Sequence, residues 1–90
     1  MVVEDLRTGT RRRVDCDGAF VFAGMRPNLD AFGSIFKVDR HGYVVVDEQM
    51  RTNVPGVFAA GDIVSKRYRQ MTTAVSDGTV ASMALAQELA

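Results

Sequence analysis

A glycine and a carboxylate follow directly on a short apolar segment in the second half of the chain. The segment Val57–Ala60 has the length and composition of a strand, and Gly61 and Asp62 come immediately after it. Ligands bind beyond the carboxyl ends of strands in open α/β sheets, and a carboxylate can accept charge-assisted hydrogen bonds from hydroxyl groups there. The dipeptide alone is explained as simply by a strand-ending turn. The flanking sequence is therefore needed to distinguish a ligand-binding position from a simple turn.

A second candidate group, Arg69, Gln70 and Met71, stands just before the one long helical stretch of the sequence. The first turn of a helix has N–H groups without intrahelical partners and the positive end of the helix dipole. Such a position suits a ligand group that carries negative charge. The alternative is an ordinary helix entrance with a solvated arginine.

The long helix itself is predicted from about Thr72 to Ala90. Its small and apolar residues recur at spacings of three and four, which is typical of a helix face packed against other elements. Gly78 inside a helix costs about 1 kcal/mol relative to alanine, and so indicates close packing at that point. The predicted inner face consists of Ala74, Gly78, Ala81, Leu85 and Leu89, with Asp77, Gln87 and Glu88 lying largely off it.

The rest of the chain has the pattern of short strands separated by turns. The segments 2–6 and 11–14 predict a hairpin around Gly9, with three arginines on its solvated face. The apolar run Ala19–Ala23 predicts a strand buried on both faces, and Tyr43–Val46 is a β-branched strand. This order of elements predicts an α/β unit. Further turns are predicted at 29–32, at His41-Gly42 and at 52–56.

Composition excludes several classes of function. Eleven basic residues balance eleven acidic ones among 90, so there is no net field to attract nucleic acid or an anionic membrane. Cys16 is the only cysteine, which rules out an internal disulfide or a CxxC pair and fits a reducing, cytoplasmic compartment. It is expected to be an inert, partly buried thiol. A chain of this length buries roughly 60–65% of its unfolded surface when it folds compactly.

Two longer stretches together resemble a known family. The stretch 52–85, TNVPGVFAAGDIVSKRYRQMTTAVSDGTVASMAL, looks like the carboxyl-terminal flavin-binding segment of the thioredoxin reductase branch of the pyridine-nucleotide disulfide oxidoreductases. The stretch 17–28, DGAFVFAGMRPN, is similar to the last strand of that family's nicotinamide domain and the crossover back into the flavin domain. The resemblance implies a piece of a doubly wound, Rossmann-like FAD-binding domain with a β-hairpin at its start and one long terminal helix.

The resemblance also implies roles for the two candidate groups. Asp62 would bind a hydroxyl of the FAD ribityl chain, and Gly61 would let the backbone approach the cofactor closely. Gln70 and the Met71 amide would face the isoalloxazine edge, with Arg69 nearby. Met71 departs from the small residue usual in the family. On this interpretation, residues 1–28 are the end of the NADPH-binding domain and residues 29–90 belong to the FAD-binding domain.

Several features of the family are missing from the sequence. Neither GxGxxG motif nor the redox CxxC is present, so we expect the chain to be a carboxyl-terminal piece of a larger flavoenzyme and inactive alone. The sequence ends with the helix, which favours the thioredoxin reductase architecture over that of the larger disulfide reductases. The expected partner of the intact enzyme is a thioredoxin-like disulfide protein, and a homodimer or self-association is expected. Two alternatives stay open: a ferredoxin–NADP reductase-like flavoprotein without the CxxC, and a non-catalytic α/β association module.

Overall fold

A computed structural model describes all of residues 1–90. Strand β1 (Val2–Glu4) pairs with strand β2 (Arg11–Arg13) in an antiparallel hairpin. The segment Asp30–Phe32 forms one turn of 3-10 helix, and helix α1 runs over Met71–Leu89. The predicted hairpin, helical turn and terminal helix are therefore confirmed.

The two predicted strands in the middle of the chain are reduced to isolated bridges. Val44 forms an antiparallel bridge with Val38 and a parallel bridge with Val64, and a third bridge joins Arg51 to Phe58. The Val44 N–H donates to the carbonyl of Ile63 at 2.9 Å, and the Ser65 N–H donates to the carbonyl of Val44 at 2.7 Å. This pair of bonds is the shortest form of the parallel pairing that an α/β fold requires. The strands predicted at 43–46 and 57–60 are wrong as continuous ladders.

The strand predicted at Ala19–Ala23 is also wrong for this chain. The run has no regular secondary structure, and Phe20 and Phe22 are 90% and 93% exposed. A strand needs partners for its N–H and C=O groups, and the chain supplies no strand beside this run. Cys16, just before it, is exposed rather than partly buried.

Little of the chain is buried. The core is Val44, Val64 and Ala84, at 1%, 3% and 6% exposure. The accessible surface is 7619 Å², whereas a compact protein of this mass exposes about 5,200 Å² and its unfolded chain about 14,200 Å². Folding therefore buries about 46% of the surface, less than was predicted. The radius of gyration of 19.1 Å agrees, because a compact domain of this length has about 12 Å.

Helix α1 packs through a face rotated by one position from the predicted one. Asp77, predicted off the face, is half-buried, and Ala84 is buried. Gly78 is exposed, and a Cβ there would meet nothing within 4 Å, so close packing at this glycine was a wrong prediction. Leu85 and Leu89 are exposed as well. The inner face consists of Thr73, Ala74, Asp77, Val80, Ala81 and Ala84.

The turns predicted between these elements are present. Gly42 and Gly56 have φ values of 87° and 78°, in the region that glycine adopts without strain. The Gly42 N–H donates to the carbonyl of Asp39, and the Val57 N–H donates to that of Val54, which closes each turn. With these turns closed, Val44 lies beside both Val38 and Val64, and Phe58 lies beside Arg51.

Asp39 fastens the first of these turns to the loop that precedes α1. The Ser65 hydroxyl donates to Asp39 Oδ2 at 2.5 Å, and the N–H groups of His41 and Tyr43 donate to Oδ1 at 2.8 and 3.0 Å. These bonds, the one from Ser65 foremost, hold the pKa of Asp39 below its ordinary value.

We expect the substitution Ser65→Ala to raise the pKa of Asp39, as measured by a carboxyl NMR titration. Asp47 is the control, because backbone N–H groups also lower its pKa but no hydroxyl contributes. The lowered pKa also determines how the stability of the fold depends on pH. The stabilisation is present above the unfolded pKa of about 4 and is lost as the pH falls through the lower, folded value. An unchanged pKa at Asp39 would contradict the assigned hydrogen bond.

Candidate functional site

Gly61 and Asp62 lie in a tight turn between the bridge region and helix α1. Gly61 has a φ of 89°, a conformation that residues with a side chain rarely adopt. Its carbonyl accepts the Val64 N–H at 3.1 Å, and its own N–H donates to Asp77 Oδ2 at 3.1 Å. The turn therefore holds Asp62 at its outer corner, with the carboxylate exposed to solvent.

Arg69 ties this turn to the entrance of α1. Its Nε donates to the carbonyl of Asp62 at 2.9 Å, and its Nη2 donates to the carbonyl of Val64 at 3.1 Å. The guanidinium Cζ also lies 3.4 Å from the centroid of the Tyr43 ring. A planar guanidinium can make all three contacts at once. Arg69 thus joins the turn at 62–64 to Tyr43, which is distant from both in the sequence.

A cavity of about 140 Å³ opens between Asp62 and Arg69. Asp62 contributes an anionic group to its wall, and Arg26 and Arg69 contribute cationic ones. Such a mixed lining suits a ligand with hydroxyl donors and anionic acceptors. The lining residues are Met25, Arg26, Pro27, Asn28, Tyr43, Asp62, Ile63 and Arg69.

The start of α1 is adjacent to this cavity but does not line it. Gln70 is the N-cap residue, and its N–H donates to the Thr73 Oγ1 at 3.0 Å. Met71 is exposed, and the N–H groups of Met71 and Thr72 have no hydrogen-bond partner within the chain. The structure therefore brings Gly61, Asp62 and Arg69 together directly. Gln70 and Met71 follow Arg69 in the chain, and the unpaired N–H groups of Met71 and Thr72 lie just after these site residues.

The sequence did not predict several residues of this site. Tyr43 is predicted in a strand and the segment 25–28 in a crossover, and no local pattern shows that both line one cavity with Arg69. Asp77 was placed off the helix face, whereas its Oδ2 accepts the Lys66 ammonium at 2.6 Å as well as the Gly61 N–H. The helical period did not predict this position, because a half-buried carboxylate cannot be distinguished from a surface residue in a hydropathy pattern.

No group of three or more His, Cys, Asp or Glu side chains is arranged to hold a metal ion. The chain also contains no helix with both the length and the apolar character needed to cross a bilayer.

The sequence matches the model of one protein family. The family is described as pyridine nucleotide-disulphide oxidoreductase, and the match extends over residues 2–78. Because this is most of the chain, the protein belongs to the pyridine nucleotide-disulphide oxidoreductase family. Its α/β architecture, with the hairpin and the terminal helix, is that of part of a Rossmann-like domain in this family.

Individual relatives narrow the resemblance to thioredoxin reductases. A protein named thioredoxin reductase from Treponema pallidum is 44% identical over 86 residues, which are 96% of this chain and 28% of the relative. A protein of Clostridium pasteurianum, named only as a 34.2 kDa protein in the rubredoxin operon, is 47% identical over 83 residues, 92% of this chain and 27% of that protein. The chain thus spans little more than a quarter of the length of these relatives.

Solved structures of thioredoxin reductases also superpose on this chain. The thioredoxin reductase of Streptococcus pyogenes superposes with a TM-score of 0.73 at 35% identity, over 98% of this chain and 29% of that structure. The thioredoxin reductase of T. acidophilum has a TM-score of 0.70 at 38% identity, over 99% of this chain and 30% of that structure. The predicted membership of the thioredoxin reductase branch is confirmed.

Proposed function

We propose that this chain acts as the carboxyl-terminal FAD-binding segment of a thioredoxin-reductase-like flavoenzyme. The observation that carries the proposal is the shared cavity of Asp62 and Arg69 at the entrance of α1. The family and the similarity to thioredoxin reductases support it independently. Residues 1–28 would belong to the nicotinamide domain, and residues 29–90 to the flavin domain.

The residues in and beside the cavity have chemistry that suits a flavin. Asp62 is an exposed carboxylate able to accept hydrogen bonds from ribityl hydroxyls. Gly61 has no side chain to block the approach of a cofactor to the turn. The unpaired amides of Met71 and Thr72 supply donors at the positive end of a helix, beside Gln70, and suit the electron-rich edge of the ring. When bound, FAD would supply the transfer of hydride from NADPH to a protein disulfide.

The activity of the whole enzyme requires groups that these residues lack. Cys16 is the only cysteine, and neither nucleotide-binding motif is present. We therefore expect no NADPH-dependent disulfide reduction by the 90 residues alone. A thioredoxin-like protein would be the substrate of the longer polypeptide, and the exposed apolar surface supports association of this segment, including in a homodimer.

A chimaera tests the proposal. The matching residues of the Streptococcus pyogenes thioredoxin reductase are replaced by this chain, and the purified protein is titrated with FAD while flavin fluorescence is recorded. We expect saturable binding, because the host supplies the remainder of its own fold and this chain supplies the turn and the helix entrance. A folded chimaera that binds no FAD would contradict the proposal.

One observation favours a second possible electron acceptor in place of the protein disulfide. The relative from Clostridium pasteurianum carries a name that places it in a rubredoxin operon and does not call it a thioredoxin reductase. A flavoprotein without a CxxC, of the ferredoxin–NADP reductase kind, would use the same flavin contacts. The coding sequence upstream distinguishes the two, since a CxxC pair there supports disulfide reduction and its absence supports the second acceptor.

We expect Arg69→Lys to loosen the turn that carries Asp62. A lysine cannot hold two carbonyls and cover the Tyr43 ring together, and a hydrogen bond to a charged group contributes about 1.5–3 kcal/mol. Hydrogen exchange at residues 61–64 of the chimaera should therefore accelerate roughly tenfold or more. Arg67→Lys is the matched control, because Arg67 lies only over the Tyr68 ring, at 5.6 Å. Equal exchange in both variants would contradict the role given to Arg69.

A further inference from the structure

Asp77 of helix α1 binds the turn of Gly61 and Asp62 without lining the cavity. Its Oδ2 accepts the Gly61 N–H at 3.1 Å and the Lys66 Nζ at 2.6 Å. The Asp77 side chain is only 14% exposed and that of Lys66 only 15%. Asp77 is absent from the cavity wall. It therefore reaches the site through the backbone of the turn and makes no contact of its own with the cavity.

The two contacts of Asp77 depend on each other. A carboxylate withdrawn from water is costly unless an opposite charge and hydrogen bonds compensate for its lost hydration. Lys66 supplies the charge, and the Gly61 N–H supplies a hydrogen bond to the same oxygen. Lys66 belongs to the loop between the turn and α1, so the ion pair also fixes how that loop folds back on the helix.

The backbone on both sides of Asp62 is thus held by α1 and its entrance. Asp77 holds the N–H of Gly61, which precedes Asp62, and Arg69 holds the carbonyl of Asp62 itself. The Gly61 carbonyl, which belongs to the peptide group between Gly61 and Asp62, accepts the Val64 N–H at 3.1 Å. Three successive peptide groups around Asp62 are therefore hydrogen-bonded, and the freedom that remains is mainly in its side-chain torsions. A carboxylate arranged in this way loses little conformational entropy when it binds a ligand.

We propose that Asp77, paired with Lys66, is a positioning residue that holds Asp62 in the geometry required to bind the cofactor. This inference rests on the proposed function, because it needs Asp62 to be a cofactor ligand. It adds a residue that contacts neither the cavity nor the cofactor. Asp77 acts on the cavity only through the turn that carries Asp62, so its contribution to cofactor binding should disappear when Asp62 is no longer present.

A double-mutant cycle in the chimaera tests the proposal. We expect Asp77→Ala to raise the dissociation constant for FAD about tenfold, as for the loss of one charge-assisted hydrogen bond. Asp77→Asn keeps an acceptor for the Gly61 N–H and should restore part of the affinity. In a chimaera that already carries Asp62→Ala, Asp77→Ala should have no further effect on the dissociation constant.

The matched control is Glu88→Gln, which should leave FAD binding unchanged. Glu88 also lies on α1 and pairs with a cation of the preceding loop, since Arg51 Nε is 2.5 Å from Glu88 Oε1, but it touches no part of the turn. Suppose that Asp62→Ala weakens FAD binding and that adding Asp77→Ala raises the dissociation constant by the same factor as in the parent chimaera. The positioning role is then wrong and the proposed function stands. If Asp62→Ala has no effect, both are wrong. Should Asp77→Ala fail to fold, the same cycle with Asp77→Asn decides between these outcomes.

Discussion

Replacing Asp62 with alanine is expected to raise the dissociation constant of the chimaera for FAD by roughly 10- to 150-fold. The range follows from the loss of charge-assisted hydrogen bonds worth about 1.5–3 kcal/mol, at about 1.4 kcal/mol for each factor of ten. Asp62 is exposed and makes no side-chain hydrogen bond within the chain, so its removal leaves no partner unsatisfied. The measurement is a titration with FAD followed by flavin fluorescence.

Two further variants make this result specific. Asp62→Asn keeps the shape and one acceptor oxygen but removes the charge, so its affinity should lie between those of the parent chimaera and Asp62→Ala. Asp15→Ala is the control, because Asp15 is an exposed carboxylate that pairs with Arg13 beside the hairpin and does not line the cavity. Equal dissociation constants for Asp62→Ala and Asp15→Ala would favour the non-catalytic association module instead.

Local signals in the sequence predicted the elements that depend on local interactions. The hairpin needs Gly9 in its turn, with a φ of 70°, and helix α1 has small and apolar residues at spacings of three and four after Gln70. Both form as expected. Turns that contain Gly42 and Gly56 were predicted for the same reason, since few other residues adopt a positive φ without strain.

The strands were predicted less well, because a strand depends on partners elsewhere in the chain. Val44 pairs with Val64 and Val38, but its neighbours in 43–46 find no continuous partner strand among these 90 residues. The same cause explains the exposed run around Phe20 and Phe22. An apolar pattern records burial in the complete domain, and it does not tell how much of that domain the sequence contains.

The candidate site was predicted in part for a similar reason. Gly61, Asp62 and Arg69 belong to a continuous motif, and the structure joins the last two by a hydrogen bond. Tyr43 and Asp77 enter through the tertiary fold, and neither has a spacing that would link it to the motif. The inner face of α1 was predicted one position away from the observed one for the same reason. Asp77, which pairs with Lys66, lies on the inner face, where the pattern predicted only small and apolar residues.

The largest effect on stability is expected for Phe22→Ala, and only in the chimaera. Phe22 is 93% exposed in this chain, so its truncation here should change the free energy of unfolding by no more than about 0.5 kcal/mol. The Streptococcus pyogenes structure extends well beyond the part that this chain covers, which is 29% of it. If the additional residues pair with the run Ala19–Ala23, as the continuous apolar pattern indicates, Phe22 becomes buried and its truncation should cost about 3–5 kcal/mol.

Urea unfolding of the chain and of the chimaera, each with and without Phe22→Ala, measures the difference. Leu6→Ala is the control, since Leu6 is also exposed but lies in the hairpin turn between Asp5 and Arg7, outside strand β1; it should be nearly neutral in both proteins. A small effect of Phe22→Ala in both proteins would mean that the run stays uncovered in the larger fold. In that case the apolar pattern would reflect a surface for another protein, because 93% exposure of a phenylalanine in a contiguous apolar patch is typical of an interaction site.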